Sequence, residues 1–137
     1  MTQEEKDLLL QDLCSRLPYG VKCQIKGEES LEPVTLKSYM NCDPIFAFDF
    51  YLKENSSLDY RELGEFKPYL FPLSSMTEGQ KTEWNYIDYY ADHHEAVDWL
   101  NKNHFDYRGL IEKSLALDAT NLRISDYDTR RNNNTNQ

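Results

Sequence analysis

At 137 residues the chain has room for one domain and little more, and a domain of this size can bury a core without covalent staples. A net charge of −9 works against a phosphate-tracking groove or an anionic membrane surface, since both call for a basic footprint. Three cysteines without a CxxC pair, an acidic first segment (MTQEEKDLLLQDL) without the basic n-region of a signal peptide, and no apolar run near the roughly 18 residues of a membrane helix point to reduced thiols and a cytoplasmic, non-membrane protein.

Thr2 and Glu5 have capping-box spacing, and Leu9, Leu10, Leu13 and Leu17 follow at helical spacing, with Glu4, Asp7, Asp12 and Ser15 mostly on the opposite side. This predicts a first helix over residues 3–17, stopped by Pro18-Tyr19-Gly20. Val21, Cys23 and Ile25 alternate with Lys22, Gln24 and Lys26, as in a half-buried strand. A turn at 27–30, extended structure over 31–40 and a second turn at 41–44 come next. Residues 45–52 read as the best-buried strand, with Phe46, Phe48 and Phe50 on one face. A further strand near 58–66 would let the sheet curl toward a small SH3-like barrel. Residues 66–75, with Pro68 and Pro72, read as an irregular connector.

Ser75 and Glu78 repeat the capping spacing before a weak helix, and a longer helix is expected over 86–103. Residues 110–117 look helical and apolar on one side. From Ala119 the chain turns polar and reads as a disordered tail, leaving 1–118 as a single domain. The tail holds three Arg against two Asp, so the acidity belongs to the domain.

Both tryptophans and all three histidines fall between Glu83 and Asp106, in EWNYIDYYADHHEAVDWLNKNHFD. On one continuous helix, Tyr86, Tyr90, His93, Val97, Leu100 and His104 would share an apolar stripe, with Asp88, Asp92, Glu95 and Lys102 largely opposite. His93 would then pack, and His94 would stand one turn from Asp98. His93, His94 and Asp98 are the candidates for a divalent metal site or an oriented general base. Zinc needs three or four converging ligands, however, and no HExxH or Cys-rich pattern supplies the rest. The acidic stripe reads as a solvated face, or as a contact surface for a basic partner or a mimic of spaced phosphate charges. Arg108, in Asp106-Tyr107-Arg108-Gly109, reads as a clamp between helices or a recognition residue. No GxSxG, GxGxxG or GxxxxGKS appears, so neither an activated nucleophile nor a nucleotide cofactor has a visible cradle.

Three stretches, DLCSRLPYGVKCQI at 12–25, FKPYLFPLSSMTEGQ at 66–80 and AVDWLNKNHFDYRGLIEKSLAL at 96–117, resemble a family of small uncharacterised proteins from prophages and mobile elements of gut Bacteroidetes. The family pattern runs LPYGVK, KPYLRP-SSMTEEE and DWLN-HFDYRGLIEKGLAL. Phe71 stands where that pattern has Arg, and Ser114 where it has Gly. The resemblance covers about a third of the chain. It implies a phage-related or mobile-element accessory role in a bacterial cytoplasm, with no catalytic residue and no cofactor.

The expectation is therefore an α+β domain: an N-terminal helix, an antiparallel sheet of three to five strands, and C-terminal helices packed on it. The function expected is non-enzymatic binding of a host or phage protein through an acidic, Tyr-rich surface carrying Asp88, Asp92, Glu95 and Arg108. The alternative is a metal-binding domain or metal-dependent enzyme centred on His93, His94 and Asp98. A third reading is nucleic-acid binding, which would need the sheet to gather Lys22, Lys26, Lys37 and Lys53.

Overall fold

The computed structural model describes residues 1–29, 32–42, 45–51 and 58–122. The first helix, α1 (Gln3–Arg16), starts at the expected capping box. The Thr2 hydroxyl accepts from the Glu5 amide at 3.1 Å, and the Glu5 carboxylate accepts from the Thr2 amide at 2.8 Å. Leu17–Tyr19 tighten into a 3-10 turn, and Gly20 at φ +64° reverses the chain. A Cβ at Gly20 would meet only the Thr35 methyl at 3.6 Å, so the left-handed backbone rather than crowding asks for glycine there.

Strands β1 (Lys22–Ile25), β2 (Val34–Cys42), β3 (Ile45–Tyr51) and β4 (Leu58–Arg61) form an antiparallel meander, with a register shift between Leu36 and Ser38 in β2. Residues 66–72, expected as a connector, are instead strand β5 (Phe66–Pro72), antiparallel to β1. Pro68 fits because of the two-residue alternation of a strand. The Glu65 carbonyl accepts from the Lys26 amide, so Glu65 and Lys67 face β1, while Pro68 turns its missing N–H the other way.

Two short pieces, β6 (Phe105–Asp106) and β7 (Leu117–Asp118), run parallel to β5. The order is β4-β3-β2-β1-β5-β6, with β7 also on β5. Among the described residues no pairing joins β4 to the opposite end, so the sheet is an open path and not a hydrogen-bonded barrel.

The single helix expected over 86–103 is two: α2 (Glu78–Tyr90) and α3 (His93–Lys102). Asp92 causes the break. Its backbone is extended (ψ 172°), and its carboxylate accepts from the Glu95 amide at 2.9 Å, starting a new helix. The start of α2 also differs from expectation. Thr77 and Gln80 form its capping box, while the Ser75 hydroxyl donates to the Pro72 carbonyl. Of residues 110–117, expected as a helix, 110–116 form turns and bends and Leu117 opens β7.

Two apolar clusters result. The larger joins Leu9 and Leu13 of α1 to Val21, Cys23 and Ile25 of β1, Leu36, Phe48, Phe66 and Leu70, closed by Leu110, Leu115 and Ala116. Phe48 is fully buried as expected; the side chains of Phe46 and Phe50 lie outside the described residues. The smaller cluster holds Phe71, Trp99, Leu100, Phe105 and Ala119, with Trp84, Ile87 and Tyr107 packed on it. Neighbours in β5, Leu70 and Phe71, point to opposite clusters, as a strand's alternation requires. Ala119 is buried and Ala119–Asn121 form a 3-10 turn, so the first residues of the expected tail pack against the smaller cluster; 123–137 lie outside the described residues.

Candidate functional site

Two neighbouring features stand out around α3: an ionic cluster beside a groove, and a set of exposed rings on α2. Asp12, expected on the solvent side of α1, is fully buried, as is Arg16 one turn on. The reason is the width of the buried arc, since positions 9, 12, 13 and 16 share one helix face. Arg16 Nε and Nη2 donate to the two Asp12 oxygens at 2.9 and 3.0 Å, and Nη2 also donates to the Phe105 carbonyl at 2.6 Å.

Arg108 reaches the same carboxylate, Nη1 to Oδ1, at 2.7 Å and lies over the Tyr107 ring with Cζ 4.5 Å from its centroid. The Tyr107 hydroxyl donates to Asn101 Oδ1 at 2.8 Å, tying this cluster to α3. Asp106 accepts from the Leu110 and Ile111 amides, both at 2.9 Å, and so fixes the turn that presents Arg108. Arg108 is thus first a clamp between α1 and the segment after α3.

The groove beside this cluster has a volume of about 500 Å³ and is bordered by α1, α3 and Tyr107-Arg108. His93, His94 and Asp98, the metal or base candidates, all line it. They do not converge as ligands: among the described residues no group of three His, Cys, Asp or Glu side chains is placed to hold an ion. The rings of His93 and His94 stand 6.3 Å apart, and His93 is exposed, not packed on an apolar stripe. Asp98 instead accepts from the Tyr19 hydroxyl, and that bond, followed by desolvation, raises the phenol's pKa above its ordinary value. His104 is separated from the other two: it is buried, past the end of α3, at φ +59°.

The helix break also divides the acidic stripe. Asp88 is on α2, Asp92 caps α3 and Glu95 is in its first turn, all three exposed. Sequence reasoning placed Tyr86 and Tyr90 on an apolar stripe; they are 66% and 69% exposed, and Tyr89 beside them is 80% exposed. The Tyr90 ring contacts both of the others, with centroids 4.8 Å apart for Tyr86 and Tyr90 and 4.7 Å for Tyr89 and Tyr90. Large rings left in water at this density are uncommon outside contact surfaces.

The two described thiols, Cys14 and Cys23, are disfavoured as nucleophiles. Burial pushes the Cys23 thiol well up in pKa, with Asp12 adding to the effect, and burial also raises Cys14. The Cys42 side chain lies outside the described residues. For the nucleic-acid reading, the Lys22 ammonium donates to the Thr35 hydroxyl at 2.6 Å, and Lys53 falls outside the described residues. No helix among the described residues is long and apolar enough to cross a membrane. No protein-family model matches the chain, and no match was found among curated proteins or solved structures.

Proposed function

We propose that this chain is a non-enzymatic binding protein that docks a basic segment of a partner protein on the acidic, tyrosine-bearing end of α2. The observation that carries this reading is the trio Tyr86, Tyr89 and Tyr90, exposed side by side. They belong to a stretch with five acids and no Lys or Arg from Thr82 to Asn101. Ring faces attract guanidinium and ammonium groups, and nearby carboxylates add long-range steering toward the same cations. Tyr loses little conformational freedom on contact and offers a hydroxyl at the rim, which suits recognition without chemistry. The motif resemblance supports an accessory role for a phage or mobile element, with a host or phage protein as the partner.

The test is affinity capture from bacterial lysate with mass spectrometry, run with two variants. Asp92 is kept in both because it caps α3. Changing Tyr86, Tyr89 and Tyr90 to Ser should abolish capture of a partner retained by the parent protein. Asp88→Lys with Glu95→Lys should do the same. Binding of the parent should weaken as salt rises, since exposed charges are screened over a Debye length of about 10 Å at 0.1 M. A partner held equally by the parent and both variants would sink the proposal.

A further inference from the structure

We infer that the groove between α1 and α3 is a binding site for a small zwitterion, an amino acid or short peptide, held by its carboxylate at Arg108 and by its ammonium at Asp98. The site uses none of the three exposed tyrosines and stands apart from the protein-docking reading. Its walls carry one fixed charge of each sign, Arg108 and Asp98, with Gln11, Ser15 and Asn101 as polar lining. Its volume of about 500 Å³ lies within the range of small-molecule sites.

The charge balance behind the Arg108 wall is uneven. Arg16 and Arg108 share the single carboxylate of Asp12, and it is their only ion-pair partner among the described residues. Arg16 Nη1 is buried with no hydrogen-bond partner among those residues. Among the described residues, two guanidinium groups thus share one ion-pair carboxylate, in a protein that is acidic overall. Arg108 reaches solvent, its side chain 13% exposed, and its guanidinium has more donors than Asp12 and Ser15 occupy. A carboxylate at that edge would supply a second counter-ion and accept charge-assisted hydrogen bonds.

The neighbouring Tyr107 ring is already engaged by two guanidinium groups, Arg108 at 4.5 Å and Arg16 at 5.6 Å from its centroid. The groove accordingly favours a polar ligand over one that stacks. Asp98 supplies the opposite charge from α3, and the Tyr19 hydroxyl donated to it keeps that carboxylate in place while leaving acceptor positions open. An anion alone would meet repulsion from Asp98. A zwitterion satisfies both walls.

Glycylglycine titrated into isotopically labelled protein, followed by amide and arginine side-chain resonances, tests this directly. Acetate and methylammonium at matched ionic strength serve as half-ligands. Glycylglycine should give saturable shifts at Ser15, Asn101 and Arg108, with affinity at least roughly tenfold above acetate, since a hydrogen bond to a charged group is worth about one decade or more. Asp98→Asn should lower glycylglycine affinity by a similar factor and leave the acetate response unchanged or stronger. Tyr19→Phe removes the positioning hydroxyl bond but keeps both wall charges, so it should weaken glycylglycine binding less than Asp98→Asn does. Absence of saturable shifts, equal response to acetate, or unchanged glycylglycine affinity in Asp98→Asn would each overturn the proposal.

Discussion

Asp12 sits with zero exposure between two guanidinium groups, and the consequence of removing its charge is asymmetric. Asp12→Asn leaves Arg16 buried without a counter-ion, and breaking a buried pair in this way costs about 3–5 kcal/mol. Arg108→Ala should cost distinctly less, because Asp12 keeps both of its bonds to Arg16. Urea unfolding of the two variants measures the difference. Ser114 is exposed at φ +62°, a left-handed conformation that L residues adopt at a cost. Ser114→Gly should raise stability by roughly 0.5–1 kcal/mol, the relief of strain exceeding glycine's extra unfolded-state entropy. Thermal melts would register it as a rise of a few degrees. Phe71 packs in the smaller cluster with its ring 6.3 Å from Phe105. At this scale the apolar residues were legible and the buried ions were not. Leu9 and Leu13 announce their face by spacing, but Asp12 and Arg16 fall on that same face, and composition alone assigns charges to water.

The joint between α2 and α3 decides how the molecule presents its charges. Asp92 caps α3, and Asp92→Ala should cost about 1 kcal/mol, read by chemical denaturation with little change in helical circular dichroism. The break was readable in principle, since Asp92 and Glu95 have N-cap spacing. An apolar stripe can nevertheless be drawn across it at period 3.6, through Tyr86, Tyr90 and His93, and those residues are exposed in the structure, so periodicity alone concealed the break. Strand β5 was missed for the opposite reason. Two prolines spoke against a strand, yet alternation sends Pro68 away from β1 and Pro72 to the strand's last residue. The meander and α1 were legible because their turns, caps and alternation agree with one another.

For the molecule as a whole, the α+β class follows from the order of those patterns, while the groove does not, because it joins α1 to α3 across more than 75 residues of chain and no local pattern spans that separation. The two apolar clusters are not separate units. β5 belongs to both, through Leu70 and Phe71, and Arg16 of α1 holds the Phe105 carbonyl of the smaller one. They should therefore unfold together: denaturation followed by far-ultraviolet circular dichroism and by indole emission should give coincident midpoints. That measurement rests on a property of the aromatic stack. Trp84 and Trp99, the protein's two tryptophans, lie 5.5 Å apart, with Trp99 Nε1 donating to Glu83 at 3.0 Å and its ring stacked on Phe105 at 5.7 Å. All indole fluorescence thus arises from one spot, the seam where α2 meets α3 a few residues from the exposed tyrosines. The protein carries its own optical gauge of whether that seam is shut, and a partner that pries at α2 would announce itself as a change of colour without any added label.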